Sequence, residues 1–309
     1  VQQSNRYRYC HIAADDFYRL ALQSVEMAPE QTLCRGVTVQ GIGQRPDGLV
    51  AVETDRGRIL AAQVFDSRPQ DLSPPQARQE SAPVLLQRFL GWHVRTAAPR
   101  FDPATAVLMD FLPAGQPGRV RFLYLLPFSA TEALVEMTYL DQPGLPEPPA
   151  ESDLRAWLEE HAGDYEVLYT ERGSLPMTPW AVPTNRLPQV HPIGIRGGRL
   201  KASSGYGFLR IQRHSRAIAQ ALATGAPVPQ TAEPKLYGTL DSIFLRAARR
   251  SRAPELFLSM FEGTGADPLV RFLGETSPAG EILRVAWSLP KLPMIRAAMR
   301  AALTVWMPA

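Results

Sequence analysis

The sequence predicts a mixed α/β fold, and three observations carry that expectation. A short amphipathic helix precedes β-rich runs broken by turn sequences. Four further strand candidates then follow at the spacing of an antiparallel sheet. A glycine-rich connection next runs into a long helix, beyond which the chain is mostly helical. The 309 residues suffice for one large or two closely packed domains with a sizeable core. With 45% apolar and 20% charged residues, the composition is that of a soluble globular chain rather than a disordered one.

The elements follow in order. In AADDFYRLALQSVE (13–26), Asp15 is the expected cap, and Phe17, Leu20, Ala21 and Val25 share one face. The runs CRGVTVQGIG, GLVAVETD and GRILAAQVF, with Asp55-Arg56-Gly57 as a turn, suggest a β-meander ending at Asp66-Ser67-Arg68-Pro69. A Pro-rich stretch (69–83) reads as a crossing between domains. QRFLGWHVRT, TAVLMDFL, VRFLYLLPF and EALVEMTY read as antiparallel strands joined by short polar turns. Residues 141–163 give a loop and a helix capped near Ser152, and DYEVLYTERGSLPM returns the chain as a strand. From VHPIGIRGG onward, glycines lead into a helix that ends near Gly225, followed by helices with Pro breaks; there is no internal repeat.

Charge and cysteine usage exclude some classes. A net charge of +3 is too small for a nucleic-acid footprint, and no such partner is expected. FLRAARRSR (244–252) and LPKLPMIRAAMRAALTVW (289–306) mix basic with apolar residues at near-helical spacing. That pattern suits either an anionic membrane surface or an ordinary helix packed on its own domain. No apolar run reaches the roughly 18–20 residues of a membrane span. Cys10 and Cys34, without a CxxC, are expected as reduced thiols of a cytosolic protein. The five histidines (His11, His93, His161, His191, His214) never fall at i, i+4 or beside a cysteine pair, so no metal site is expected. Ser67, Ser203 and Ser204 lack a G-x-S-x-G elbow. The start, VQQSNRYRYCHI, has neither Met nor a signal-peptide core and reads as a chain already in progress.

Three places carry candidate chemistry. Gly194, Gly197, Gly198, Gly205 and Gly207 permit close backbone approach before a helix whose free N–H groups and dipole suit phosphate or an electron-rich ring; turns alone would also call for them. Asp66 and Arg68, at a strand end, suit either a structural ion pair or the polar end of a cofactor cleft. Glu136 sits between Ala-Leu-Val and Met-Thr-Tyr. Alternation puts Leu134, Glu136 and Thr138 on one face, with Ala133, Val135 and Met137 on the other. On a solvated face Glu136 is an ordinary strand residue. With both faces covered, desolvation raises its pKa and makes it a general acid.

The order of elements resembles the latter four-fifths of flavin-binding α/β proteins of the glutathione-reductase-like superfamily. Those proteins begin with a strand, a G-x-G-x-x-G turn and a helix. GIGQRPDG (41–48) and GTGADP (263–268) supply only the first two glycines, so the N-terminal βαβ element is absent here: either it lies upstream of residue 1, or high-affinity FAD binding has been lost. The expected division is 1–82 as the remainder of the FAD-binding domain with its meander, 83–185 as an antiparallel-sheet substrate domain, 186–226 as a return to the FAD-binding domain, and 227–309 as a helical C-terminal region.

Six strings then occur in register: VFDSRP (64–69), QRFLGWHV (87–94), AVLMDF (106–111), LYLLPFSATEALVEMTYL (123–140), ERGSLPMT (171–178) and GIRGGRLKASSGYGF (194–208). Together they resemble the flavin-dependent lycopene beta-cyclases of bacteria and plants, over nearly the whole chain. The resemblance implies closure of the linear ends of lycopene into β-rings, through γ-carotene to β-carotene. That reaction is a net isomerisation needing reduced FAD, with NAD(P)H as reductant. It implies Glu136 as proton donor, in the place of the family's E-(E/D)-T glutamate. Met137 takes the position after it that is often acidic, leaving Glu136 as the single expected acid. Asp66 and Arg68 match the family's D-x-R. Gly194, Gly198, Ser204, Gly205, Tyr206 and Gly207 fall in its second flavin-contacting region. Trp92, Tyr124, Phe128, Tyr139 and Tyr206 are candidates for cation–π support of a carbocation. A C40 hydrocarbon substrate implies a peripheral enzyme at the cytoplasmic face of a bacterial membrane, docked by its basic C-terminal region. Two rivals remain: an FAD-dependent oxidoreductase on the same scaffold, such as a prenyl reductase or aromatic hydroxylase, and a non-catalytic lipid- or pigment-binding remnant.

Overall fold

The computed structural model describes residues 2–4, 6–68, 85–178, 187–230, 235–248 and 253–306. Ala14–Glu26 form the first helix, α1. Its N-cap is Ala13, without a side-chain cap; Asp15, expected as the cap, lies in the first turn, where its charge still complements the helix dipole. No residue of α1 is buried, and Phe17 and Leu20 of its apolar face are exposed.

Val39–Gln44 (β1), Val50–Thr54 (β2) and Gly57–Ala61 (β3) form the expected antiparallel meander. The third run, GRILAAQVF, divides in two. Its second half, Val64–Asp66 (β4), leaves the meander to join a different, two-stranded sheet. The Pro-rich crossing at 69–83 lies outside the described residues.

Leu85–Thr96 (β5), Val107–Leu112 (β6), Arg119–Pro127 (β7), Glu132–Asp141 (β8) and Tyr165–Met177 (β9) are the five predicted strands. They build one antiparallel sheet in the order β6-β7-β8-β5-β9. Helix α2, Ala150–His161, is inserted between β8 and β9. Its N-cap is Pro149 rather than Ser152, whose Oγ instead donates to the Pro149 carbonyl at 3.0 Å.

Strand alternation sends two apolar sets to opposite faces. Leu90, Trp92, Val94, Leu123, Val135 and Met137 pack with Leu154 and Leu158 of α2. Leu85, Val120, Phe122 and Leu140 pack instead with Ala202 and the helices that follow it. Each fully buried Leu or Phe contributes about 1.5–3 kcal/mol, so this sheet is stabilised from both sides. The register pair Arg119–Asp141 closes the β7–β8 ladder with a bidentate ion pair at 2.7 and 3.0 Å, both residues buried.

Val190–Pro192 (β10) pairs in parallel with β4, bringing the chain back beside Asp66. After the glycine-rich segment comes α3, Phe208–Thr224, closed by Gly225 at φ 67°. The rest is helical as expected: Lys235–Ala248 (α4), Ala253–Thr264 (α5), Ala266–Leu273 (α6), Ala279–Ser288 (α7) and Lys291–Trp306 (α8). The described part of FLRAARRSR is core rather than docking surface, since Phe244, Leu245, Ala247 and Ala248 are buried. Among the described residues no helix is long and apolar enough to cross a membrane.

Candidate functional site

Because β8 is packed on both faces, Glu136 is largely, but not wholly, withdrawn from water. It is partly buried on the face that carries Leu134 and Thr138, opposite the face packed on α2. Its register partners are Tyr124 on β7 and Gly91 on β5, and Gly91 in turn pairs with Glu171 on β9. Glu136 and Glu171 therefore stand at one level on either side of a residue with no side chain. A Cβ at Gly91 would lie 2.8 Å from Glu171 Cγ, 3.0 Å from its Oε1 and 3.2 Å from Leu134 Cδ1. Thr138 Oγ1 donates to Glu136 Oε1 at 2.6 Å. Burial pushes the Glu136 carboxyl up; the Thr138 hydroxyl opposes this, and the charge and hydrogen-bonding carboxyl of Glu171 add to it. The result is about 7.

Beside the single acid that the sequence offered, the structure places a second carboxyl, Glu171, across Gly91. Met137 is buried on the α2 face, and the second carboxyl comes from across the sheet. Glu171 could have been found by pairing the two predicted strands through Gly91, since it opens the quoted string ERGSLPMT.

The glycine-rich segment reaches the same place through Tyr206. This side chain is 39% exposed. Crowding by protein, then the charges of Tyr9 and Glu136, push its hydroxyl up to about 12. Tyr124 is held well above the ordinary tyrosine value by burial first, then by Tyr206, Glu136 and Tyr9. Tyr124 and Tyr206 thus accompany Glu136. Phe128 packs its ring on His93 and His11 at 4.8 and 5.0 Å. Trp92 and Tyr139 belong to the α2 face, where the Tyr139 hydroxyl donates to Asp153 at 2.6 Å, so neither supports a cation beside Glu136.

Gly205 shows what the segment requires. Its φ is +75°, and a Cβ there would stand 2.5 Å from Gln87 Oε1 on β5. A side chain there would be strained by the positive φ and would push the Gln87 amide aside. Gly194 and Gly198 also take positive φ. The adjoining Ser204 Oγ is buried and has no hydrogen-bond partner among the described residues. Gly207 is the N-cap of α3, which has neither a side-chain cap nor an acid in its first turn. An unspent buried hydroxyl beside an uncompensated helix start fits an electron-rich or anionic group. Behind this turn, buried Lys201 donates to Asp241 at 3.0 Å and Glu275 at 3.4 Å, and Ser203 donates to Asp241 at 2.5 Å. These bonds lock the segment to α4 and to the turn after α6.

Asp66 and Arg68 form an ion cluster of their own. Arg68 Nε and Nη2 each donate to the buried Asp66 carboxylate at 2.9 Å, and Arg196 Nε lies 2.9 Å from its Oδ2. Burial opposes ionisation of Asp66. Hydrogen bonds from the Arg68 side chain and backbone, with the charges of Arg196 and Arg68, nevertheless hold it below the usual carboxylate range. The cluster ties the end of β4 to the glycine-rich segment, where Ile193 N–H donates to the Asp66 carbonyl at 2.9 Å.

Two spaces flank the sheet. A polar groove of about 490 Å³, lined by Arg88, Glu147, Glu151, Arg155 and Arg172, lies on the α2 side, away from Glu136. A small apolar cavity of about 40 Å³ lies beside Ser203 and Ser204, walled by Phe244, Phe257, Met260 and Leu289.

A lycopene beta-cyclase of Paracoccus sp. is 28% identical to the chain over 219 residues, which are 68% of this chain and 52% of that protein. The chain thus spans about half the length of this curated relative. Among solved structures, a geranylgeranyl bacteriochlorophyll reductase-like protein from Thermoplasma acidophilum is 12% identical, covering 85% of this chain and 69% of its own at a TM-score of 0.48. The flavin-dependent monooxygenase PieE, solved with FAD and substrate, is 16% identical, covering 95% of this chain and 52% of its own at a TM-score of 0.42. The family model described as lycopene cyclase protein matches residues 2–299, and the chain belongs to that family.

Proposed function

We propose that this chain carries the acid of a lycopene beta-cyclase, with Glu136 as the proton donor that starts ring closure. The reading is carried by one observation: a carboxyl raised to about 7 on a covered sheet face keeps its proton near neutrality. In the proposed reaction Glu136 Oε–H delivers its proton to one carbon of the terminal double bond, leaving a tertiary cation on the other. The neighbouring double bond closes onto that cation. A proton then leaves the new ring, so one proton enters, one departs, and no electrons are exchanged overall. Tyr124, paired in register with Glu136, and Tyr206, whose hydroxyl feels the Glu136 charge, are suited to support the cation and exclude water.

The residues present fit a flavin. Gly194, Gly198, Ser204, Gly205, Tyr206 and Gly207 would hold it against the uncapped start of α3, with Asp66 and Arg68 fixing the strand end beside that segment. When bound, reduced FAD, maintained by NAD(P)H, supplies negative charge near the developing cation without net electron transfer. The substrate reading also calls for a peripheral place at the cytoplasmic membrane face. Exposed Leu283, Trp287, Leu292, Ile295 and Met299 on α7 and α8, interleaved with Arg284, Lys291 and Arg296, support it.

The test is expression of the complete coding sequence in lycopene-accumulating bacteria, followed by pigment analysis. The expected products are γ-carotene and β-carotene, lost in Glu136→Gln. Unchanged lycopene alongside folded, flavin-coloured protein overturns the reading, and hydrogenated or oxygenated pigments replace it with an oxidoreductase.

A further inference from the structure

We propose that Glu171 of β9 is a positioning residue that shares one proton with Glu136 of β8, the two carboxyls meeting over the side-chain-free Gly91 of β5. Register makes the meeting possible. Gly91 pairs with Glu136 on one side and Glu171 on the other, so all three lie at one level and on one face. Residues two strands apart stand roughly 9–10 Å from one another, and the middle side chain ordinarily fills the space between them. Here Glu171 fills it, its Cγ and Oε1 standing 2.8 and 3.0 Å from where a Cβ of Gly91 would be. Its carboxyl thereby stands over Gly91 on the side facing Glu136, whose proton its charge helps to hold.

Two carboxylates facing one another across a residue with no side chain do not both ionise readily, and one proton held between them satisfies both. The other groups facing the pair are the Thr138 hydroxyl on β8, Tyr124 on β7, Tyr206 in the glycine-rich segment and Tyr9 near the N-terminus. None of them brings a positive charge that would release the proton. Burial and Glu171 together therefore keep Glu136 protonated to about 7. Glu171 acts through Glu136 and sets the pH range over which that acid is loaded.

The inference rests on the cyclase reading for its kinetic readout alone, because the Glu136 proton can also be followed directly. In protein from the complete coding sequence, the carboxylic C=O infrared band of Glu136 is assigned by its loss in Glu136→Gln and then titrated. The midpoint is expected to fall by at least about one pH step in Glu171→Gln, and by less in Glu171→Asp, which keeps an acid on a shorter arm. The alkaline limb of the cyclisation rate falls with it. This is a loss of about fivefold at the wild-type midpoint, approaching tenfold well above it, with the rate recovering as the pH is lowered. A midpoint that does not move overturns the proposal, as does a rate loss equal at every pH. A falling midpoint in a protein that cyclises no lycopene leaves the shared proton standing and removes the cyclase reading. If Glu171→Gln does not accumulate as folded protein, Glu171→Asp carries the same titration.

Discussion

Thr138 and Glu136 lie two residues apart on one face of β8, joined by a 2.6 Å hydrogen bond from Thr138 Oγ1 to Glu136 Oε1. Thr138 is fully buried, so its hydroxyl has no easy exchange with water. The bond favours the ionised carboxyl and tempers the upward push of burial and of Glu171. In Thr138→Val that restraint is gone. The Glu136 midpoint is expected to rise further, by about 0.7 in pH for a hydrogen bond of about 1 kcal/mol. The alkaline limb of the rate profile should move upward, opposite in direction to Glu171→Gln. A profile that moves downward would show that Thr138 serves the protonated form instead.

Glu136 should also weaken the fold. Its folded pKa of about 7 lies above the unfolded glutamate value of about 4.3, so between these limits the native state holds a proton that the unfolded chain has released. Stability attributable to this group is complete below the lower limit, falls as pH rises through the window, and stays reduced above it. Glu136→Gln keeps an acceptor for Thr138 but removes the charge. It is predicted to be more stable than wild type at pH 8, by up to about 3–4 kcal/mol, and within about 0.6 kcal/mol of it at pH 4.5. Urea unfolding at the two pH values measures the difference. Equal gaps at both would mean that Glu136 reaches solvent.

Asp66 has the opposite linkage. Its folded pKa is depressed, so its contribution is present above the unfolded aspartate range and is lost as pH falls through the folded value. Asp66→Asn leaves Arg68 and Arg196 without their carboxylate, but both guanidinia are partly exposed and can turn to water. The expected cost is therefore about 1–3 kcal/mol at neutral pH, below that of a fully buried broken pair. The melting temperatures of variant and wild type should converge on acidification. Flavin retention should fall with the same substitution if the cluster orients the 194–207 segment.

The element order and the five strands of the main sheet were legible because alternation and turn residues are local signals. Their pairing was not, since it depends on side chains distant in sequence. Glu136 shows the consequence. Alternation left its face undecided; only the packing of Leu85, Phe122 and Leu140 beneath Ala202 and the C-terminal helices covers that side. Glu171 stayed hidden for the same reason, its relation to Glu136 existing only through Gly91. Asp66 and Arg68 were visible as a strand-end pair, but Arg196, distant in sequence, completes the cluster. The helix caps failed on chemistry. Asp15 and Ser152 are good capping residue types, yet Ala13 and Pro149 hold those positions, and the Ser152 hydroxyl is spent on the Pro149 carbonyl.

The C-terminal helices offer a surface that can be tested separately from catalysis. On α7 and α8, Trp287 is 79% exposed and Leu283 70%, with Leu292, Ile295 and Met299 also open to solvent. Lys291 Nζ sits 4.5 Å over the Trp287 ring, leaving an aromatic plane and a cation side by side, as an interfacial helix requires. Two terms should then add. Apolar burial of the large side chains is insensitive to salt, whereas each basic residue near an anionic surface contributes about 1 kcal/mol that salt screens. The triple variant Leu283→Ser, Trp287→Ser, Ile295→Ser is predicted to reduce flotation with anionic phospholipid vesicles at least tenfold at any salt concentration. Lys291→Gln with Arg296→Gln should weaken binding to anionic vesicles at low salt and leave binding to neutral vesicles unchanged. Both variants should retain the wild-type melting temperature, because none of the five side chains is buried. Binding that survives both sets of changes would move the membrane contact away from α7 and α8.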